Sequence, residues 1–156
     1  MPKENAYYED VNINNELHLR KILEGLPPYC RQFFAGIEPT TASRTRLAYA
    51  YDLGVFFEYL HNNNPICAKM DISKITLDIL DQLRPVDIEE YLFSLRYHEK
   101  DGVMHTNEER GIKRKLASLR TFYNYLFRNE MISSNPAYKV SMPKIHDKAI
   151  IRLDVA

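Results

Sequence analysis

Residues 106–129 read TNEERGIKRKLASLRTFYNYLFRN, and this stretch decides the fold. Ile112, Leu116, Leu119, Tyr123 and Leu126 recur at i, i+4, i+7, i+11 and i+14, which at 3.6 residues per turn makes one continuous apolar stripe. Thr106 and Glu109 stand ahead of it at capping-box spacing, so a helix is predicted to start there and run to about Phe127 or Asn129. A stripe of this length must be covered by other elements.

The elements upstream supply that cover. Pro85 opens a helix through about Tyr97 with Ile88, Tyr91, Leu92 and Leu95 inward, and Thr76 caps a short turn or helix between Ile75 and Leu80. A longer helix begins after Pro39, where Thr40 or Thr41 suits the cap, and ends near the HNNNP run at 61–65. Its stripe is Tyr49, Leu53, Phe56 and Leu60, widened by Leu47, Ala50, Gly54 and Phe57, so it is expected at the centre of a bundle. A first helix over about 14–24 carries Leu17, Leu19, Ile22 and Leu23 and ends at Gly25 and Pro27–Pro28; a second, Pro28 to about Gly36, buries Tyr29, Phe33 and Phe34. Strand signals are nearly absent, apart from a DG pair in the 98–107 loop that suits the tip of a small hairpin. Asn135–Pro136 begins a short turn, and from Val140 onward too few core positions remain, so 140–156 reads as a linker or extended tail. The class is all-α.

The chain has 156 residues and 45% hydrophobic content, enough for one core burying about two thirds of the unfolded surface. No apolar run approaches the roughly 20 residues of a membrane span, and MPKENAYYEDVNINNE lacks the order of a secretory signal; a cytoplasmic setting is expected. Cys30 and Cys67 read as buried thiols, and His18, His61, His98, His105 and His146 are scattered without ligand spacing, so no metal or cofactor is called for. No Ser/His/Asp or Cys/His set, GxGxxG or Walker loop is present, and Asp87, Glu89 and Glu90 fit the outer face of an amphipathic helix. The chain as given is predicted to catalyse nothing and to take no small-molecule substrate.

Net charge is zero, 21 basic against 21 acidic residues, but it is unevenly spread. Residues 107–156 hold a net +5 and residues 1–106 a net −5. A basic face on an acidic body attracts a polyanion at short range with little long-range steering. On the 106–129 helix, Arg110, Lys113, Arg114, Ala117, Thr121 and Asn124 lie opposite the apolar stripe, with Ser118 beside them and Lys115 and Arg120 on the flanks. Cations around a small residue suit a helix in a major groove, the charges meeting phosphates while the backbone approaches base edges. The helix after Pro39 repeats the pattern with Thr41, Arg44 and Ala48, and with Ser43 and Arg46 near its start. Thr40 and Thr41 fit either a cap or a phosphate contact at a helix start.

The segment GIKRKLASLRTFYNYLFRNEMISSNPAYKVSMPK (111–144) resembles the N-terminal core-binding domain of tyrosine recombinases, the phage-integrase and Xer-like family. The family's basic pair, Leu, small, Leu-Arg and aromatic pair are filled by Lys113, Arg114, Lys115, Leu116, Ser118, Leu119, Arg120, Phe122 and Tyr123, followed by Asn135, Pro136 and Ala137, then Pro143 and Lys144. TRLAYAYDLGVFFEYL is similar to the second family signature, through Thr45, Tyr49, Asp52, Leu53, Phe56 and Leu60, and the resemblance covers about 38–145. Residues 1–37 and the 98–106 loop have no clear counterpart.

The resemblance implies an orthogonal four-to-five-helix, SAM-like bundle: an N-terminal extension at 1–37, a core-binding domain at 38–139 and a linker at 140–156. It implies double-stranded DNA as partner, gripped by two crossed helices, with association between protomers in a synaptic complex. The family's catalytic residues belong to a second domain, so none is carried over, and the chain reads as a fragment ending where the linker meets that domain. The DNA-contacting set expected is Thr41, Ser43, Arg44, Arg46, Arg110, Lys113, Arg114, Lys115, Ser118, Arg120 and Thr121. The competing reading is a helical protein-interaction module using Tyr7, Tyr8, Tyr51 and Tyr97.

Overall fold

The computed structural model of the chain describes residues 2–96, 98–100, 103–105 and 109–142, with side chains from 6 to 96 and from 109 to 142. Among them run α1 (Pro2–Leu23), α2 (Tyr29–Ile37), α3 (Ser43–Asn63), α4 (Leu77–Gln82), α5 (Pro85–Arg96), β1 (His98–Lys100), β2 (Val103–His105) and α6 (Glu109–Arg128). Short 3-10 turns stand at Glu38–Thr40, Cys67–Lys69, Ile72–Lys74 and Pro136–Lys139. The fold is all-α with one small antiparallel hairpin, in which His98 pairs with His105 and Lys100 with Val103. The hairpin tip, the Thr106 cap, Tyr97 and the tail from 143 lie outside the described residues.

The predicted stripe of α6 is the floor of the core: Ile112, Leu116, Leu119, Tyr123 and Leu126 are at most 1% exposed. Phe122 adds a second buried row on the same helix, its ring 5.2 Å from Phe33 of α2, 6.1 Å from Phe57 of α3 and 6.4 Å from Tyr29. α3 is central as expected, packing against α1, α6 and the turns at 67–69 and 72–74. Two buried tyrosines bind the 75–80 segment to this core, Tyr29 donating to the Ile75 carbonyl at 2.7 Å and Tyr123 to the Leu80 carbonyl at 3.1 Å. Burial drives both phenols far above their ordinary range, which keeps them protonated donors. Thr76 caps α4 by accepting from the Ile79 amide, and Ile88, Tyr91, Leu92 and Leu95 are the buried side of α5, both as the sequence indicates. Cys30 and Cys67 are buried thiols.

Three local expectations change. α1 starts at Pro2 rather than near 14, and residues 6–10 are exposed on every side, so no apolar period marks that half. Thr40 and Thr41 do not cap α3: both hydroxyls donate to the Ile37 carbonyl, closing the end of α2, and the residue before α3 is Ala42, which has no capping side chain. The Glu38–Pro39 turn continues α2 by one 3-10 turn, and that places the threonines behind it rather than ahead of α3. Val140, assigned to an unpacked tail, is 3% exposed and belongs to the core.

Candidate nucleic-acid interface

α3 and α6 are locked together by an ion pair that the residue pattern does not reveal. Asp52 of α3 is 3% exposed, and its Oδ1 meets Arg114 Nη2 at 3.1 Å and Lys115 Nζ at 3.6 Å, both on the second turn of α6. The Arg114 side chain is 59% exposed whereas that of Lys115 is 14% exposed, so one cation is sunk beside the carboxylate and the other lies over it at the surface. Asp52 Oδ2 is buried without a hydrogen-bond partner among the described residues. A buried carboxylate is tolerated only when cations compensate it, and two cations on one carboxylate leave a local excess of positive charge.

The outer face of α6 is basic as the wheel indicates. Arg110 and Lys113 are exposed and make no polar contact with the described residues, Arg114 is tethered by one nitrogen, and Ala117 and Thr121 are half-buried on the next two turns. The Thr121 hydroxyl donates to the Ala117 carbonyl at 3.0 Å and stays folded along the helix. Asn124 is exposed and accepts from Asn135. On α3, Arg44 is exposed and unpartnered among the described residues, with half-buried Ala48 one turn on. Around α3, Ser43 faces α1, Asp52 faces α6, and Arg44 lies on the open arc between those two flanks.

Several expected contact residues are spent inside the protein. Ser118 is 1% exposed with its hydroxyl on the Lys115 carbonyl, because the α3–α6 crossing covers a flank that a wheel leaves open. Arg46 is 7% exposed, donating to the carbonyls of Glu38 and Thr41, and braces the α2–α3 turn. Ser43 is 8% exposed, donating to Asn12 at 2.8 Å and accepting from Asn15 at 3.1 Å, which docks α1 on the start of α3. Arg120 donates to the carbonyls of Ala137 and Val140 and holds the 136–140 turn against α6. Thr41 is half-buried, its hydroxyl on Ile37. Each of these side chains has a partner within the protein. Arg44, Arg110, Lys113 and Arg114 are the exposed members of the expected set, and Lys115 and Thr121 are half-buried. Of the tyrosines assigned to a protein partner, Tyr7 and Tyr8 are exposed and Tyr51 hydrogen-bonds His18 at 2.8 Å.

Among the described residues no group of three or more His, Cys, Asp or Glu is placed to hold a metal ion, and no helix is long and apolar enough to cross a membrane. No family model and no solved structure matches the chain. Curated relatives do. The chain is 40% identical over 110 residues to a protein of Leptospira interrogans named Tyrosine recombinase XerC, covering 70% of this chain and 29% of that protein. A protein of the same name from Caldanaerobacter subterraneus is 33% identical over 128 residues (76% of this chain, 35% of that protein), and one from Anoxybacillus flavithermus is 29% identical over 112 residues (72% and 31%). The chain thus spans about a third of the length of the relatives it matches.

Proposed function

We propose, from its homology to the tyrosine recombinases, that this chain is the DNA-gripping part of a site-specific recombinase, laying α3 and α6 against the major groove of a recombination half-site. The observation that carries the reading is a set of exposed cations on two paired helices: Arg110 and Lys113 on α6 and Arg44 on α3, without protein partners among the described residues, with the half-free Arg114 tied across to Asp52 of α3. Half-buried Ala48 and Ala117 let both helix backbones approach a groove, and the Asp52 pair fixes how the two helices cross. Strand cleavage is assigned to a part of the recombinase beyond this chain, and residues 38–139 to the DNA-binding unit proper.

The reading predicts a counterion-release signature. If Arg44, Arg110, Lys113 and Arg114 each neutralise one phosphate, log K falls against log salt with a slope of about −3.6, or roughly 150-fold in affinity between 50 and 200 mM salt. A single Arg110→Ala or Lys113→Ala removes about 0.9 from that slope. A gel-shift series on duplex DNA tests this. Unchanged affinity and slope in both variants would remove α6 from the interface, and association with protein but no response to duplex at low salt would favour the protein-interaction reading.

A further inference from the structure

The Asp52 node does more than join two helices. We infer that Asp52 is a positioning residue for DNA binding: it holds the Arg114 guanidinium by one nitrogen so that the remaining donors are presented outward beside Arg110 and Lys113. This rests on the functional reading above and adds to it a division of labour between adjacent cations.

Three observations support the inference. First, Asp52 is on α3 and its cations on α6, so the pair spans the two proposed groove-facing helices. Second, the cations are unequal. Lys115, with 14% of its side chain exposed, serves as the resident counter-ion, whereas Arg114, with 59% exposed, keeps most of its fork in solvent while touching Oδ1. Guanidinium has five N–H donors in a planar fork, so one can stay on Asp52 while a second face meets a phosphate or a guanine edge bidentately. A lysine in that place would have no such fork. Third, Asp52 Oδ2 is buried with no partner among the described residues, near the buried Tyr91, whose phenol is pushed up by burial first and by the Asp52 charge second. A carboxylate kept at such a site for stability alone is poorly used, because buried pairs often contribute no more than an apolar replacement. Pre-setting the rotamer of a DNA-reaching arginine accounts for it, since a long side chain fixed before binding loses less freedom on contact.

The test is a double-mutant cycle read on duplex affinity, with folding followed separately by circular dichroism and thermal melting. Arg114→Ala is expected to weaken binding about tenfold at low salt and to lower the salt slope by about 0.9. Arg114→Lys should restore the slope but only part of the affinity, because the charge returns without the fork. Asp52→Asn should weaken binding several-fold in the parent and have no further effect in the Arg114→Ala background. Should Asp52→Asn fail to fold, the paired swap Asp52→Leu with Lys115→Met removes the buried charges together and is read in the same two backgrounds. An equal loss with and without Arg114 would mean that Asp52 acts through the fold alone and would overturn the proposal. A silent Arg114→Ala alongside a weakened Lys113→Ala would also overturn it while leaving the DNA-binding function standing. If none of Arg44→Ala, Arg110→Ala, Lys113→Ala and Arg114→Ala affects binding, the functional reading itself falls.

Discussion

Replacing Gly36 by alanine is expected to destabilise the protein, although glycine to alanine in a helix ordinarily gains up to about 1 kcal/mol. The reason is the approach of α2 to α6. A Cβ at position 36 would sit 2.3 Å from Tyr125 Cε2, 2.9 Å from Cζ and 3.1 Å from the hydroxyl oxygen. The ring packs edge-on against Phe33, centroid to centroid 5.6 Å, so stepping aside gives up that contact. Overpacking of this kind costs about 1–3 kcal/mol, and at a separation well inside van der Waals contact the upper figure applies. Subtracting the helix-propensity gain leaves a net loss of about 2 kcal/mol, or roughly 4–8 °C in Tm for a domain of this size. Urea denaturation followed at 222 nm measures it. In a Tyr125→Ala background the clash is gone and Gly36→Ala should turn stabilising. A stabilising Gly36→Ala in the parent would refute the α2–α6 packing, and with it the stated orientation of the α6 outer face.

Other substitutions probe separate elements. Glu130 ends α6 at φ 61°, with the Met131 amide on the Leu126 carbonyl and the Glu130 amide on that of Phe127, the two bonds of a Schellman motif; Glu130→Gly should stabilise by about 0.5–1 kcal/mol in the same urea assay. Thr76→Ala removes the cap of α4 and should cost about 1 kcal/mol. Asp81 is partly buried, which raises its pKa, but the hydroxyls and amides of Ser133 and Ser134 donate to it and outweigh burial, holding it below the ordinary 3.8. Its folded pKa is therefore depressed, so its contribution is complete above the ordinary carboxylate range and is lost as pH falls through it; Asp81→Asn should flatten the acid limb of a pH–stability curve.

The buried rows of α5 and α6 were legible because each helix announces its core side by period alone, and Thr76 because a cap acts on its own helix. What the pattern could not supply is which flank a neighbouring helix covers. Ser118 sits beside the polar face on a wheel, yet the α3–α6 crossing buries it. Arg46 and Arg120 carry charge that any sequence count assigns to a polyanion, yet their donors end on carbonyls of nearby turns. The same blindness hid the partnership of Asp52 with Arg114 across 62 residues of chain. One signal was available: an aspartate at the edge of an apolar stripe, where a neighbouring helix packs, needs a cation, and the densest run of them is at 113–115. The first half of α1 stayed unread for the opposite reason, since a helix exposed on every side has no face to declare.

On the proposed function, duplex DNA lies across the open faces of α3 and α6. An amide chemical-shift titration of the labelled chain with a short duplex at low salt tests it most directly. Perturbed amides are expected to gather at 44–51 and 110–121 and to relax as salt is added. Perturbations confined to α1 around Tyr7 and Tyr8 or to the outer side of α5 around Phe93, or none at all, would contradict it.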